Sequence, residues 1–173
     1  MFTNLKADFK RYRTLETASL FYILFEQGLW AIVIYRFGRC VRNVKIPIIS
    51  LILKLLAFLL FKWAEIVTGI SLPASAEIGK GIYIGHFGGI ILHSDVKIGD
   101  HCSIGPGVVI GSKGGGIKGI PVIGNDVYIG VGAKILGSVK IGNSVKIGAN
   151  AVVINDIPDG STAVGIPAKI LES

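Results

Sequence analysis

From residue 72 onward an aliphatic side chain returns at nearly every sixth position: Leu72, Ile78, Ile84, Ile90, then Ile98, Ile104, Ile110, then Ile123, Ile129, Ile135, Ile141, Ile147 and Val153. Two residues ahead of most of these stands a second small or aliphatic residue: Ile82, Gly88, Val96, Cys102, Val108, Val127, Ala133, Val139, Val145 and Ala151. A helix buries side chains with a period near 3.6 and a strand alternates, so neither accounts for the pattern. A period of six with two inward positions predicts one short strand and one corner per hexapeptide. Three such units close a triangular coil of about 18 residues, and each coil buries its apolar wall against the next. The glycine that usually follows the aliphatic suits a tight corner, where a side chain would clash.

The period breaks twice. Ile90 and Ile98 are separated by two residues too many, which predicts a small bulge. Between Ile110 and Ile123 the excess is a glycine-rich loop, "GSKGGGIKGIP", carrying Lys113 and Lys118. Loops that project from a rigid repeat commonly carry function.

Counted from Leu72, His86, His93 and His101 follow the third, fourth and fifth strands. They fall at three different corners and do not converge on a metal within one subunit. The corner of His86 returns one coil at a time as Pro106, Val131 and Ala149. At about 4.8 Å per coil this column of mostly small residues runs roughly 14 Å, the scale of an extended pantetheine arm. A histidine at its foot has the placement of a general base beside a cofactor groove. The plainer alternative, an exposed corner histidine, is the reading for His93 and His101. Cys40 and Cys102 stand far apart in no metal-ligand spacing, so reduced thiols are expected.

Over residues 72–157 the repeat resembles the hexapeptide-repeat family of left-handed parallel β-helices. The left hand is implied by that resemblance, since parallel crossovers are otherwise nearly always right-handed. The order "GIYIGHFGGIIL", a glycine-rich loop, "IGVGAKILGSVKIGNSVKIGANAVV" and "AVGIPAKIL" is similar to the serine acetyltransferase branch. The resemblance implies acetyl-CoA as co-substrate, no metal, and a homotrimer with its groove between adjacent β-helices. His86 matches the catalytic base. Val131 and Ala149 match positions that touch acetyl-CoA through backbone groups, and Lys169 matches a basic position near the cofactor phosphates. A backbone amide at a glycine corner, Gly111 or Gly132, is the expected oxyanion donor. Two positions depart from the pattern: Gly85 stands where the serine enzymes have an aspartate before the base, and Ile120 where their loop has a second histidine before Pro121.

The first seventy residues differ in kind. They hold ten Lys and Arg against four acids, so nearly all of the chain's +7 lies there, and an evenly basic nucleic-acid surface is excluded. The runs "SLFYILFEQGLWAIVIYRF" and "IPIISLILKLLAFLLF" are interrupted by Glu26 and Lys54 and bracketed by Arg11, Arg13, Arg36, Arg39, Arg42, Lys45 and Lys62. An in-plane or re-entrant helical pair facing anionic lipid fits better than two spanning helices. A helical cap buried against a neighbouring subunit is the alternative. The N-terminus lacks the form of a secretory signal.

The expected organisation is a helical, membrane-associating region over residues 1–70 and a mainly β acetyltransferase domain, a left-handed parallel β-helix, over 71–173. A chain beginning near Ser71 is expected to keep the β-helix. The two departures favour an acetyl-CoA-dependent O-acetyltransferase acting on a sugar or lipid-linked sugar hydroxyl in cell-surface polysaccharide synthesis, at the cytoplasmic face of a bacterial inner membrane. The alternatives are a serine O-acetyltransferase of cysteine synthesis and a non-catalytic β-helix scaffold.

Overall fold

The computed structural model describes residues 2–16, 19–115 and 119–171. Four helices come first: α1 (Phe2–Leu15), α2 (Leu20–Phe25), α3 (Gln27–Val41) and α4 (Pro47–Thr68). Fourteen strands of two or three residues follow among the described residues and build three walls. One wall joins β1 (Ile70–Ser71), β3 (Ile90–Leu92), β6 (Val109–Gly111), β9 (Lys134–Leu136) and β12 (Val152–Val153). The second joins β2 (Glu77–Ile78), β4 (Lys97–Ile98), β7 (Val122–Ile123) and β10 (Lys140–Ile141). The third joins β5 (Ser103–Ile104), β8 (Tyr128–Ile129), β11 (Lys146–Ile147), β13 (Thr162–Val164) and β14 (Lys169–Ile170). All pairings between these strands are parallel except the closing β13–β14 pair.

The repeat positions are the core. Ile78, Ile98, Ile123 and Ile141 stack in register up one wall, and Ile104, Ile129 and Ile147 up another. All seven are buried, as are Val96, Cys102, Val108, Val127, Val139 and Val145 on the second inward position. The expected bulge is absorbed in β3: Ile90 pairs with Ile70 and Leu92 with Ile110, and both are buried. One corner is closed by a side-chain ladder in which Asp100, Asn125, Asn143 and Asp159 each accept a backbone N–H from the coil before, at 2.7–2.9 Å.

The first coil has an edge, and the helices cover it. Asp8 and Arg36, both buried, pair at 2.9 and 3.1 Å. Arg36 also donates to the carbonyls of Ile78 (2.8 Å) and Gly79 (2.5 Å), and Asp8 accepts the Ile82 N–H. Tyr12 donates to the Ile84 carbonyl at 2.7 Å and accepts its N–H at 3.2 Å, while Tyr35 does the same for Ala76 and Ile78 at 2.9 and 3.0 Å. Gly28 packs so closely on the Ile84 carbonyl that a Cβ there would overlap the oxygen. An uncovered strand edge is a template for wrong pairing, and a solenoid needs a cap at each end.

Helices and β-helix therefore share one apolar core that includes Tyr12, Ile32 and Tyr35. The expected independence of a chain starting near Ser71 therefore meets a cost at this joint. Such a piece would expose the Ile78, Ile82 and Ile84 amides and one face of the first coil.

Candidate active site

Register aligns the His86 corner. Tyr83 bridges to Ser103, which pairs with Tyr128, which pairs with Lys146. Three residues on from each lie His86, Pro106, Val131 and Ala149, the column read from the spacing. His86, Val131 and Ala149 are exposed along it, with Val131 half accessible. His93 follows β3, on a different corner, where its Nδ1 accepts the Asp95 N–H at 3.1 Å. His101 follows β4 in the left-handed region (φ 57°) and packs over Gly81. Among the described residues no group of three His, Cys, Asp or Glu could hold a metal ion.

Around His86 the helices bring groups that the repeat does not predict. Glu26, between α2 and α3, has its carboxyl raised above the usual range, first by burial and then by the Glu16 carboxylate, with His86 acting in the opposite direction. Glu16, just past α1, accepts a short hydrogen bond from the Tyr83 hydroxyl. Burial, and then that bond, push the Tyr83 phenol upward, so it stays a donor. The Tyr83 ring also packs on Tyr12 with centroids 4.8 Å apart. Next to Glu26, the buried Gln27 Oε1 has no hydrogen-bond partner.

This arrangement explains Gly85. A Cβ at residue 85 would lie 2.5 Å from the Tyr83 hydroxyl oxygen and about 3 Å from its ring, so the tyrosine fills the space an aspartate would need. Its tilted packing on Tyr12 and its bond to Glu16 hold it there. Ile120 is half-buried against the core, an inward position.

The other expected site residues divide. The Gly132 N–H is already donated to the Pro106 carbonyl at 2.8 Å, so the oxyanion role expected of it is closed by the coil ladder. Gly111 is buried inside β6, in register with Leu136, and its carbonyl accepts the Gly137 N–H. Lys169 is exposed on β14. The Lys113 stem packs over Gly137 and its ammonium reaches the Ile154 carbonyl at 3.4 Å, while Lys118 lies outside the described residues. Burial pushes the Cys102 thiol up to about 11, which leaves it protonated and unreactive at neutral pH.

No spacing in the sequence ties Glu16 and Glu26 to His86. They sit at helix ends, Glu16 seventy and Glu26 sixty residues earlier in the chain, and the joint between α1, α3 and the first coil brings them toward it.

With this geometry in place, the similarities to known proteins are informative. Residues 120–155 match the bacterial transferase hexapeptide family (six repeats). The chain is 35% identical to a serine acetyltransferase of Synechococcus elongatus over 99% of its own length and 69% of that protein's. It is 38% identical to a serine acetyltransferase of Helicobacter pylori, covering 86% of this chain and 84% of the relative. A solved serine acetyltransferase in complex with cysteine superimposes on 98% of the chain with a TM-score of 0.85 at 32% identity, covering 69% of that structure. Another in complex with CoA gives 0.82 at 32% identity over 98% of this chain and 68% of that one. These relatives overturn the expected sugar acceptor and polysaccharide role, because they cover helices and β-helix together and carry the serine activity. Gly85 and Ile120 therefore do not by themselves exclude serine as acceptor: the space beside Gly85 is filled by Tyr83, and Ile120 packs against the core.

Proposed function

Since the chain belongs to the serine acetyltransferase family of hexapeptide-repeat transferases, we propose that its acceptor is the serine hydroxyl and that His86 is the general base. The chain is an acetyl-CoA-dependent O-acetyltransferase. On this reading the serine oxygen attacks the thioester carbonyl while the His86 imidazole takes its proton. The tetrahedral intermediate then collapses, the carbon–sulfur bond breaks, and the imidazolium returns the proton to the departing CoA thiolate. O-acetylserine and CoA leave.

The observation that carries the reading is the similarity to serine acetyltransferases over helices and β-helix together, joined to a histidine at the foot of an open column; Glu26, whose carboxyl feels both Glu16 and His86, adds negative charge toward that corner. Serine brings an ammonium that a sugar lacks, and Glu26 with Glu16 offers the complementary charge. Val131 and Ala149 would border the pantetheine arm, Gly111 and Gly132 the turns beside it, and Lys169 the phosphates. The left-handed β-helix pairs its outer walls in a homotrimer, with the groove completed by a neighbouring copy. Tyr128, Ile91 and Val122 present apolar side chains on those walls, each close to half exposed.

The test is steady-state transfer from acetyl-CoA to serine. His86→Ala should lower kcat by about 10² to 10⁴ while acetyl-CoA affinity stays within a few-fold, because a general base acts on the reaction and little on cofactor binding. His93→Ala and His101→Ala should retain turnover. Glu26→Gln should raise KM for serine and leave that for acetyl-CoA unchanged. Absence of transfer to serine by the wild-type protein would sink the acceptor, and full activity of His86→Ala would sink the base.

A further inference from the structure

The helix α4 is apolar on sides that nothing in the fold covers. Ser50, Ala64 and Thr68 are buried and Ala57 and Phe61 partly so, on the face that packs against α3. Opposite them Ile48, Leu51, Ile52, Leu55, Leu59 and Ile66 are 56–84% exposed. At 3.6 residues per turn the exposed apolar positions sweep roughly half the circumference. By length and composition the helix could cross a membrane, yet only 11% of its most apolar window is buried, unlike the core helix of a soluble protein. The apolar surface continues onto α2, where Phe21, Tyr22 and Phe25 are 59–66% exposed and Leu24 shares a groove with Trp30 and Trp63.

We propose that α4, with α2 beside it, is a docking surface for an anionic lipid bilayer and lies in the membrane plane. Charge selects the occupant. From Gln27 to Ala64 there are six basic residues and no acid. Arg36 is neutralised by Asp8 and Lys62 by Glu65, but Arg42 and Lys45 are exposed at the connection between α3 and α4, and Lys54 is exposed on the flank of α4 toward α3. A second copy of this face would meet it with like charge, whereas an anionic headgroup layer meets it with opposite charge. A partner helix would also cover only a narrow seam and not half a circumference. The orientation follows from the joint: α4 packs along α3, which is tied to the first coil through Tyr35 and Arg36, and the C-terminal end of α4 is held to that coil by Glu65, which accepts the Ser71 hydroxyl at 2.6 Å. Because α3 holds it against the polar β-helix, α4 immerses its outer face in the headgroup and acyl boundary and does not cross. This places the protein at a membrane face without altering the acceptor.

The test uses the full chain and flotation with vesicles of phosphatidylcholine, alone or mixed with phosphatidylglycerol, without substrate, so its outcome is independent of the serine reading. The protein should float with both and more strongly with the anionic vesicles. High salt should remove only the anionic increment, since apolar burial is not screened. The triple substitution L51Q/L55Q/L59Q should lower partitioning by about tenfold or more. It should leave the circular dichroism spectrum and transfer to soluble serine unchanged. K45Q/K54Q should abolish most of the anionic increment alone. A full chain that stays in solution beside both vesicles overturns the proposal, and so does a triple variant that floats like wild type. If the soluble chain also forms a defined assembly by light scattering that the triple variant dissolves, the face joins copies of the protein instead.

Discussion

The same residue type has opposite fates in two parts of this molecule. Ile129, Ile135 and Ile147 in the β-helix have no exposed surface, while Ile48 and Ile66 in α4 are 75% and 84% exposed. In the β-helix each apolar side chain is surrounded by the coils above and below, and the parallel ladder fixes their spacing. In α4 one face is covered, mainly by α3 and by the start of the first coil, and the remainder faces outward. Burial is thus set by how many layers enclose a side chain, and hydropathy alone does not report it.

Between these extremes lies the joint, and it is the place to break the contrast. Replacing Asp8 by Ala leaves the Arg36 guanidinium buried without its carboxylate, which should cost about 3–5 kcal/mol. Denaturant unfolding should show it, followed by tryptophan fluorescence for the helices, where Trp30 and Trp63 reside, and by far-UV circular dichroism for the whole. Coincident transitions in the wild type would support one cooperative body; separated ones would show that the helices are an appendage.

A smaller but sharper contrast comes from two truncations of similar chemistry. Ile129→Ala removes a side chain enclosed on every side and should cost about 2–5 kcal/mol. Leu55→Ala, 60% exposed on α4, should change stability by no more than about 0.5 kcal/mol in detergent-free buffer. Comparable losses at both sites would mean that α4 is covered in solution.

The smallest effect concerns pH. The Glu26 carboxyl is raised above its ordinary 4.5 by burial and by Glu16. The folded state therefore holds that proton more tightly than the unfolded one. The stability this contributes is complete below pH 4.5 and is lost as pH rises through the higher folded value. Glu26→Gln should remove that decline, giving a melting temperature that varies less with pH over this window. An unchanged pH profile would show that Glu26 does not carry the effect.

The periodicity made most of the β-helix legible. A side chain every sixth residue fixes which positions face in, and hence which corners align, so the His86, Pro106, Val131 and Ala149 column could be read before any coordinates. The backbone hydrogen bonds were less legible: Gly132 reads as a free corner donor, yet the Pro106 carbonyl of the coil before already accepts its N–H.

What the sequence determined by itself is the part of the molecule governed by local repetition, because each coil repeats the contacts of its neighbour and a linear pattern encodes them. Tertiary structure decided what depends on contacts between distant segments. Asp8 and Arg36 meet only because α1 and α3 cap the first coil. Tyr83 occupies the space beside Gly85 only because Tyr12 and Glu16 hold it. Glu26 reaches His86 only across that same joint. A charge placed beside another sixty residues away in sequence leaves no period to read, and its position is fixed by how two dissimilar surfaces pack.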